Sequence, residues 1–116
     1  MRNGLAFALA LSLLGGPAGA MSLASADIQP NGPIATAQVY GRCGGQNLSP
    51  ALEWSGTPAS AKSLVLTMID MDVAPAQWSH WIVVDLPPET ASLPQAVPML
   101  PGPARAVVSD FGDAAL

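Results

Sequence analysis

Residues 63–86 read SLVLTMIDMDVAPAQWSHWIVVDL, and their reading decides the fold. Ser63 to Asp70 is rich in apolar and β-branched residues and contains neither Gly nor Pro. Such a run predicts a strand buried on both faces. Trp81 to Leu86 reads the same way, and Pro87-Pro88 ends it because proline donates no hydrogen bond to a sheet ladder. If the two strands pair, Asp70 and Asp72 leave one strand where His80 enters the next. Three ionisable side chains then meet at one end of an apolar layer. Burying a charge without a partner costs several kcal/mol, so the three are expected to pair with each other or to line a pocket.

Working outward, the segments on either side carry weaker strand signals broken by turn residues. Met21 to Ile28 alternates as a first strand, and Gln29 to Pro33 is a turn cluster. Ile34 to Tyr40 reads as another short strand, Gly41 to Pro50 as a loop, and Ala51 to Trp54 as a strand closed by Ser55 to Pro58. Downstream, six Pro between Pro87 and Pro103 exclude regular structure over most of that run. Ala104 to Ser109 is a last strand, and Asp110-Phe111-Gly112 is a turn. No segment sustains a helical period and no repeat occurs. Short strands with Gly/Pro punctuation predict a mostly β fold, an antiparallel β-sandwich with Pro/Gly-rich loops.

The 116 residues suffice for one small domain. Arg2, the uncharged apolar run Leu5 to Leu14 and the small-residue tail Gly15 to Ala20 have the three parts of a secretory signal. Ala18 and Ala20 fit cleavage before Met21, and Ala24 with Ala26 offers a second point before Asp27. The run is shorter than the roughly 20 apolar residues that span a membrane. The expectation is a signal peptide over residues 1–20, a domain over 21–116, and a bacterial periplasmic or secreted location. Without residues 1–20 the chain has Arg42, Lys62 and Arg105 against eight acids, a net charge of −5 compared with −4 for the whole. That balance excludes nucleic acid as a partner, since phosphate neutralisation needs clustered Lys and Arg. It also argues against adhesion to an anionic membrane. The single Cys43 cannot form an internal disulfide.

Four ordered motifs, Asn47-Leu-Ser-Pro50, Leu52-Glu-Trp54, Ser63 to Asp72 and Trp78-Ser-His-Trp81, closely resemble the phosphatidylethanolamine-binding protein family. The match is best to its bacterial Raf kinase inhibitor-like branch, of the YbhB/YbcL type, and covers about Met21 to Gly112. The resemblance implies a β-sandwich with a small pocket at one end of the sheet that takes phosphate-like and phospholipid head groups. Asp70, Asp72, Ala74, Pro75, Trp78 and His80 fall on the family's pocket motif. Met71 stands where the family has Pro, and Val73 is an additional residue. The family continues past Gly112 with a Gly-Pro-Cys-Pro-Pro-like loop and a Gly-x-His-Arg-Tyr-like strand, which add a second His and a Tyr to the pocket. The resemblance therefore implies a C-terminally truncated member, and a Cys in that loop as a partner for Cys43.

Asp70 and His80 are the central pair. A carboxylate beside an imidazole favours the doubly protonated ring, which donates from both nitrogens. Such a donor suits a phosphate monoester, because charge-assisted hydrogen bonds are the stronger kind. The plainer alternative is an Asp–His pair that only ties two strands together. Asp72 is as well suited to holding its loop through backbone N–H groups as to touching a ligand. A metal site on Asp70, Asp72 and His80 is weak, with no further His or Cys cluster. Trp78 and Trp81 are candidates to wall the pocket, the alternative being simple core packing, which suits Trp81 with Trp54 better. Ser79 neighbours His80, and neighbours on a strand face opposite ways. With no Gly-x-Ser-x-Gly elbow either, no nucleophilic catalyst is expected.

The resulting expectation is a non-enzymatic exported binding protein for a small anionic ligand, phosphate or phosphoethanolamine-like, with no cofactor and no metal. The alternative is a protein-interaction module that inhibits a kinase or hydrolase. A phosphoester-cleaving enzyme is the weakest reading. A protein target and a homodimer stay open at this level.

Overall fold

A computed structural model describes residues 19–114, so the expected signal peptide lies, but for its last two residues, outside the described residues. Among the described residues six strands form two antiparallel sheets. They are β1 (Ser22–Ala24), β2 (Leu52–Ser55), β3 (Leu64–Asp70), β4 (Trp78–Leu86), β5 (Ser92–Leu93) and β6 (Arg105–Val107), with one 3₁₀ turn at Gly41–Cys43. One sheet has the order β1-β2-β5 and the other β3-β4-β6. β2 pairs Trp54 with Leu23 of β1 and Leu52 with Leu93 of β5. β4 pairs Thr67 of β3 with Ile82 and, on its other side, Ile82 with Val107 of β6.

The two sheets meet through a small core. Trp81, Val83 and Leu86 of β4 and Leu93 of β5 are buried, and Trp54, Leu64, Leu66, Met68, Val97 and Leu100 pack against them. Each fully buried apolar side chain contributes about 1.5–3 kcal/mol relative to exposure. The Pro-rich run thus helps to close the core through Val97 and Leu100, although its prolines leave room only for the two-residue β5. Ser49 fastens that run from below: its carbonyl accepts from Ala96 N at 2.9 Å and its hydroxyl from Val97 N at 3.1 Å.

Three expectations from the sequence are corrected. β3 is not buried on both faces. Its burial alternates, and Val65 and Ile69 are 63% and 43% exposed. The reason is that, among the described residues, no second layer covers the face carrying Val65, Thr67 and Ile69, all three of which are exposed. Ile34 to Tyr40 is not a strand. Gln38 N and Val39 N both bond back to Ala35 O, at 2.9 and 3.2 Å, so the segment closes on itself as a turn. Gly45 then passes so close to the Val39 carbonyl that a Cβ at this position would overlap it. The first strand stops at Ala24 because Ser25 takes over: its hydroxyl accepts from Asp27 N at 3.1 Å and Ile28 N at 3.2 Å and donates to Ala51 O at 2.5 Å. Local side-chain bonds of this kind compete with a ladder.

Candidate functional site

The β3–β4 hairpin carries the site, and a register shift in it decides where His80 points. Met68 stands opposite Trp81, but Ile69 stands opposite Ser79 and Asp70 opposite Trp78. His80 is the residue left over, in a β-bulge. Alternate residues of a strand share a face. Leu64, Leu66, Met68 and Asp70 form the half-buried face of β3, while Val65, Thr67 and Ile69 form the exposed one. An unbroken ladder would set His80 opposite Ile69, across the sheet from Asp70. The bulge turns it, and His80 Nε2 lies 3.9 Å from Asp70 Oδ2.

Asp70 is held from the loop side. Its Oδ1 accepts from Asp72 N at 2.9 Å, closing an Asx turn. The loop is therefore held by the Asp70 carboxylate on the Asp72 backbone. Ala74 and Pro75 sit in the exposed loop 71–77, joined by a cis peptide bond. Trp78 is 36% exposed at the start of β4, and Trp81 is 5% exposed in the core.

Three further residues, not singled out from the sequence, complete the surroundings. Phe111 stacks at 4.5 Å on Tyr40 and meets Trp78 and His80 edge-on at 5.6 and 5.0 Å between ring centroids. Asp110 Oδ2 accepts from Ser79 N at 2.6 Å and from Ser79 Oγ at 2.7 Å. Those bonds, the backbone one first and the hydroxyl second, hold the Asp110 carboxyl below its ordinary value. In the sequence Asp110-Phe111-Gly112 showed only a turn, and Tyr40 only the end of an expected strand. Nothing local announces the partners of Asp110 and Phe111 in β4, or the stacking of Tyr40 on Phe111.

The site is an open arrangement, with the His80 and Asp70 side chains 26% and 41% exposed. Clefts run elsewhere: one of about 490 Å³ along Leu23, Ile28, Pro50, Leu52, Leu66 and Met68, and another of about 540 Å³ along Ser49, Trp81, Val97 and Met99. Among the described residues no group of three or more His, Cys, Asp or Glu side chains is arranged to hold a metal ion. Cys43 is exposed on the 3₁₀ turn.

A two-layer antiparallel β fold with an Asp–His pair and an aromatic cluster at one hairpin defines a class of small β-sandwich proteins. The sequence profile of the phosphatidylethanolamine-binding proteins matches residues 24–115. The chain belongs to that family. It is 40% identical over 78 residues to the YbhB protein of Escherichia coli K12, covering 65% of this chain and 49% of YbhB. It is 35% identical over 89 residues to the YbcL protein of the same strain, covering 74% of this chain and 49% of YbcL. The crystal structure of E. coli YbcL, described as a new member of the mammalian PEBP family, superposes with a TM-score of 0.78 at 33% identity, over 83% of this chain and 63% of that one. A putative phosphatidylethanolamine-binding protein homolog from Chlamydia trachomatis gives 0.71 at 33% identity, over 83% and 62%. The chain thus spans about half the length, or less, of the curated relatives it matches.

Proposed function

We propose that this chain carries one wall of a binding site for a small anion, a phosphate or a phosphorylated head group, in an exported, non-enzymatic protein. The observation that carries the reading is the state of His80. The ring is half-buried and neither nitrogen makes a hydrogen bond among the described residues, while Asp70 Oδ2 stands 3.9 Å away. A carboxylate at that distance compensates an imidazolium without occupying either N–H. Both donors remain available to phosphate oxygens, and charge-assisted bonds of this kind are short and strong. Asp72 N fixes Asp70 Oδ1, which leaves Oδ2 toward the ring. Trp78, half-exposed beside them, offers an aromatic flank for the organic part of a head group. Family membership supports the same class of ligand.

The non-enzymatic part of the proposal is supported by the hydroxyl of the residue next to His80. Ser79 Oγ donates to Asp110, not to His80, so that hydroxyl is not held as a nucleophile against the imidazole. Export is supported by the apolar and small-residue stretch before Met21.

Calorimetric titration of the full chain with inorganic phosphate and with phosphoethanolamine tests the site. His80→Ala is expected to weaken binding roughly tenfold or more, the worth of one hydrogen bond to a charged group. Equal affinity in the wild type and His80→Ala would remove His80 from the site and the reading with it.

A further inference from the structure

The bulge that turns His80 toward Asp70 is gripped from the far end of the chain. The β4–β6 ladder runs only from Val84↔Arg105 to Ile82↔Val107, so Ser79 lies beyond its last rung. Its amide is nevertheless satisfied. Ser79 N and Oγ both donate to Asp110 Oδ2, at 2.6 and 2.7 Å, and Asp110 N lies 3.2 Å from both the carbonyl and the hydroxyl oxygen of Ser79. The Asp110 carboxylate stands in for the backbone carbonyl that a longer β6 would present.

The turn bearing Asp110 is itself closed. Ser109 N donates to Asp113 O at 2.8 Å, Gly112 N to Ser109 O at 3.0 Å and Phe111 N to Ser109 Oγ at 3.3 Å. Gly112 takes φ 85°, a left-handed conformation that favours glycine. With both ends fixed, Phe111 has one place to go: edge-on to His80 and Trp78, with Tyr40 stacked behind it.

We propose that Asp110 is a positioning residue of the site. Its clasp on Ser79 pins the residue just before the bulge and seats Phe111 against His80, and so fixes the face of the sheet on which the imidazole stands. The competing arrangement is specific. A one-residue slip that removes the bulge places His80 opposite Ile69 on the exposed face, and slips of this kind exchange faces wholesale. Asp110 acts on the ligand only through His80. The binding part of this inference rests on the proposed anion site, and the structural part does not.

The chain has one His, so the two ring C–H proton signals of His80 are its only imidazole signals in a nuclear magnetic resonance spectrum. In the full-length wild type, nuclear Overhauser contacts between the His80 and Phe111 rings are expected, with His80 signals displaced by the aromatic ring current. Phe111→Leu removes that displacement and calibrates it. Asp110→Ala is expected to lose the contacts and to move the His80 signals at least as far as Phe111→Leu does. Asp110→Asn keeps an acceptor oxygen and is expected to restore both. An effect on stability alone would lower the melting temperature and leave the signals of the folded fraction in place. Titration with inorganic phosphate on the same samples should show affinity reduced roughly tenfold in Asp110→Ala, comparable to losing one charge-assisted bond.

Wild-type ring contacts and signal positions in Asp110→Ala overturn the inference whatever phosphate does. Loss of the contacts in a chain whose wild type ignores phosphate supports the positioning role and refutes the anion reading. If Asp110→Ala fails to fold, Ser79→Ala replaces it. That variant deletes one of the two donors and is expected to weaken the His80–Phe111 contacts, and unchanged contacts there overturn the inference.

Discussion

Deleting His80 outright should leave the domain folded, an outcome unusual for a residue inside a nine-residue strand. The register explains it. With His80 gone, Trp81 follows Ser79 directly, and Met68↔Trp81, Ile69↔Ser79 and Asp70↔Trp78 become consecutive rungs of an unbroken ladder. No other residue changes face. The loss is the half-buried ring and its edge contact with Phe111, about 1 kcal/mol, offset in part by repair of the ladder. Deleting Ile82, two positions on, is different. Residues on one side of the gap must then swap faces, and either Trp81 at 5% or Val83 at 0% exposure leaves the core. Expelling a buried side chain of the size of Trp costs about 3–5 kcal/mol, a large part of the 5–15 kcal/mol typical of a whole domain. Urea unfolding followed by tryptophan fluorescence separates the two variants. The deletion lacking His80 should keep a cooperative transition with a midpoint near that of the wild type and no response to phosphate. The deletion lacking Ile82 should show little or no folded baseline. Equal damage from both deletions would refute the assignment of His80 as the unpaired residue of the bulge.

Three further outcomes follow from other positions. Asp85 lies in the second register shift of β4 with φ 58° and faces Arg105 at 3.5 Å; because a left-handed conformation disfavours L-residues by about 1–2 kcal/mol and an exposed ion pair is worth about 0–1, Asp85→Gly should be near neutral and Asp85→Val destabilising by about 2 kcal/mol in urea titrations, whereas a regular strand would prefer Val to Gly. Asp110 has a depressed folded pKa, so its contribution is fully present above the unfolded value and is lost as pH falls through the folded one; urea midpoints measured downward from about pH 5 should fall less steeply in Asp110→Asn than in the wild type, and parallel curves would exclude the clasp as their source. Gly45→Ala should lower the melting temperature by about 4–8 °C for each 1 kcal/mol lost, because the new Cβ meets the Val39 carbonyl rather than a yielding side chain; an unchanged melting temperature would show that the segment around Tyr40 is not packed as described.

What the sequence reveals here depends on how local the determining interactions are. β3 and β4 are legible because an apolar, β-branched run without Gly or Pro has few other uses, and Pro87-Pro88 marks the end of β4 at Leu86. The motif that places Asp70 and His80 at one hairpin is legible for the same reason, with the resemblance adding which chemistry to expect. The bulge is not, because it is a relation between two strands and leaves no mark on the alternation of either. Burial of both faces of β3 was overestimated because composition reports how apolar a strand is, not whether a second layer covers it. Ile34 to Tyr40 reads as a strand because residue types alone cannot show that the Ala35 carbonyl is already committed to Gln38 and Val39. Asp110 was missed because its partner Ser79 lies 31 residues away.

β4 holds Trp81, Val83 and Leu86 in the core and, at its other end, Trp78, Ser79 and His80 at the site. Among the described strands of its sheet it is the one with a neighbour on each side. Any inherited change in it is therefore tried twice, once for whether the chain folds and once for what it recognises. The freedom to acquire a new ligand lies off this strand. It lies in the exposed residues 71–77, which lead into β4 yet contribute nothing to the buried core. Descendants of such a chain would diversify first in that loop, with β4 and the turn that clasps it as the text they share.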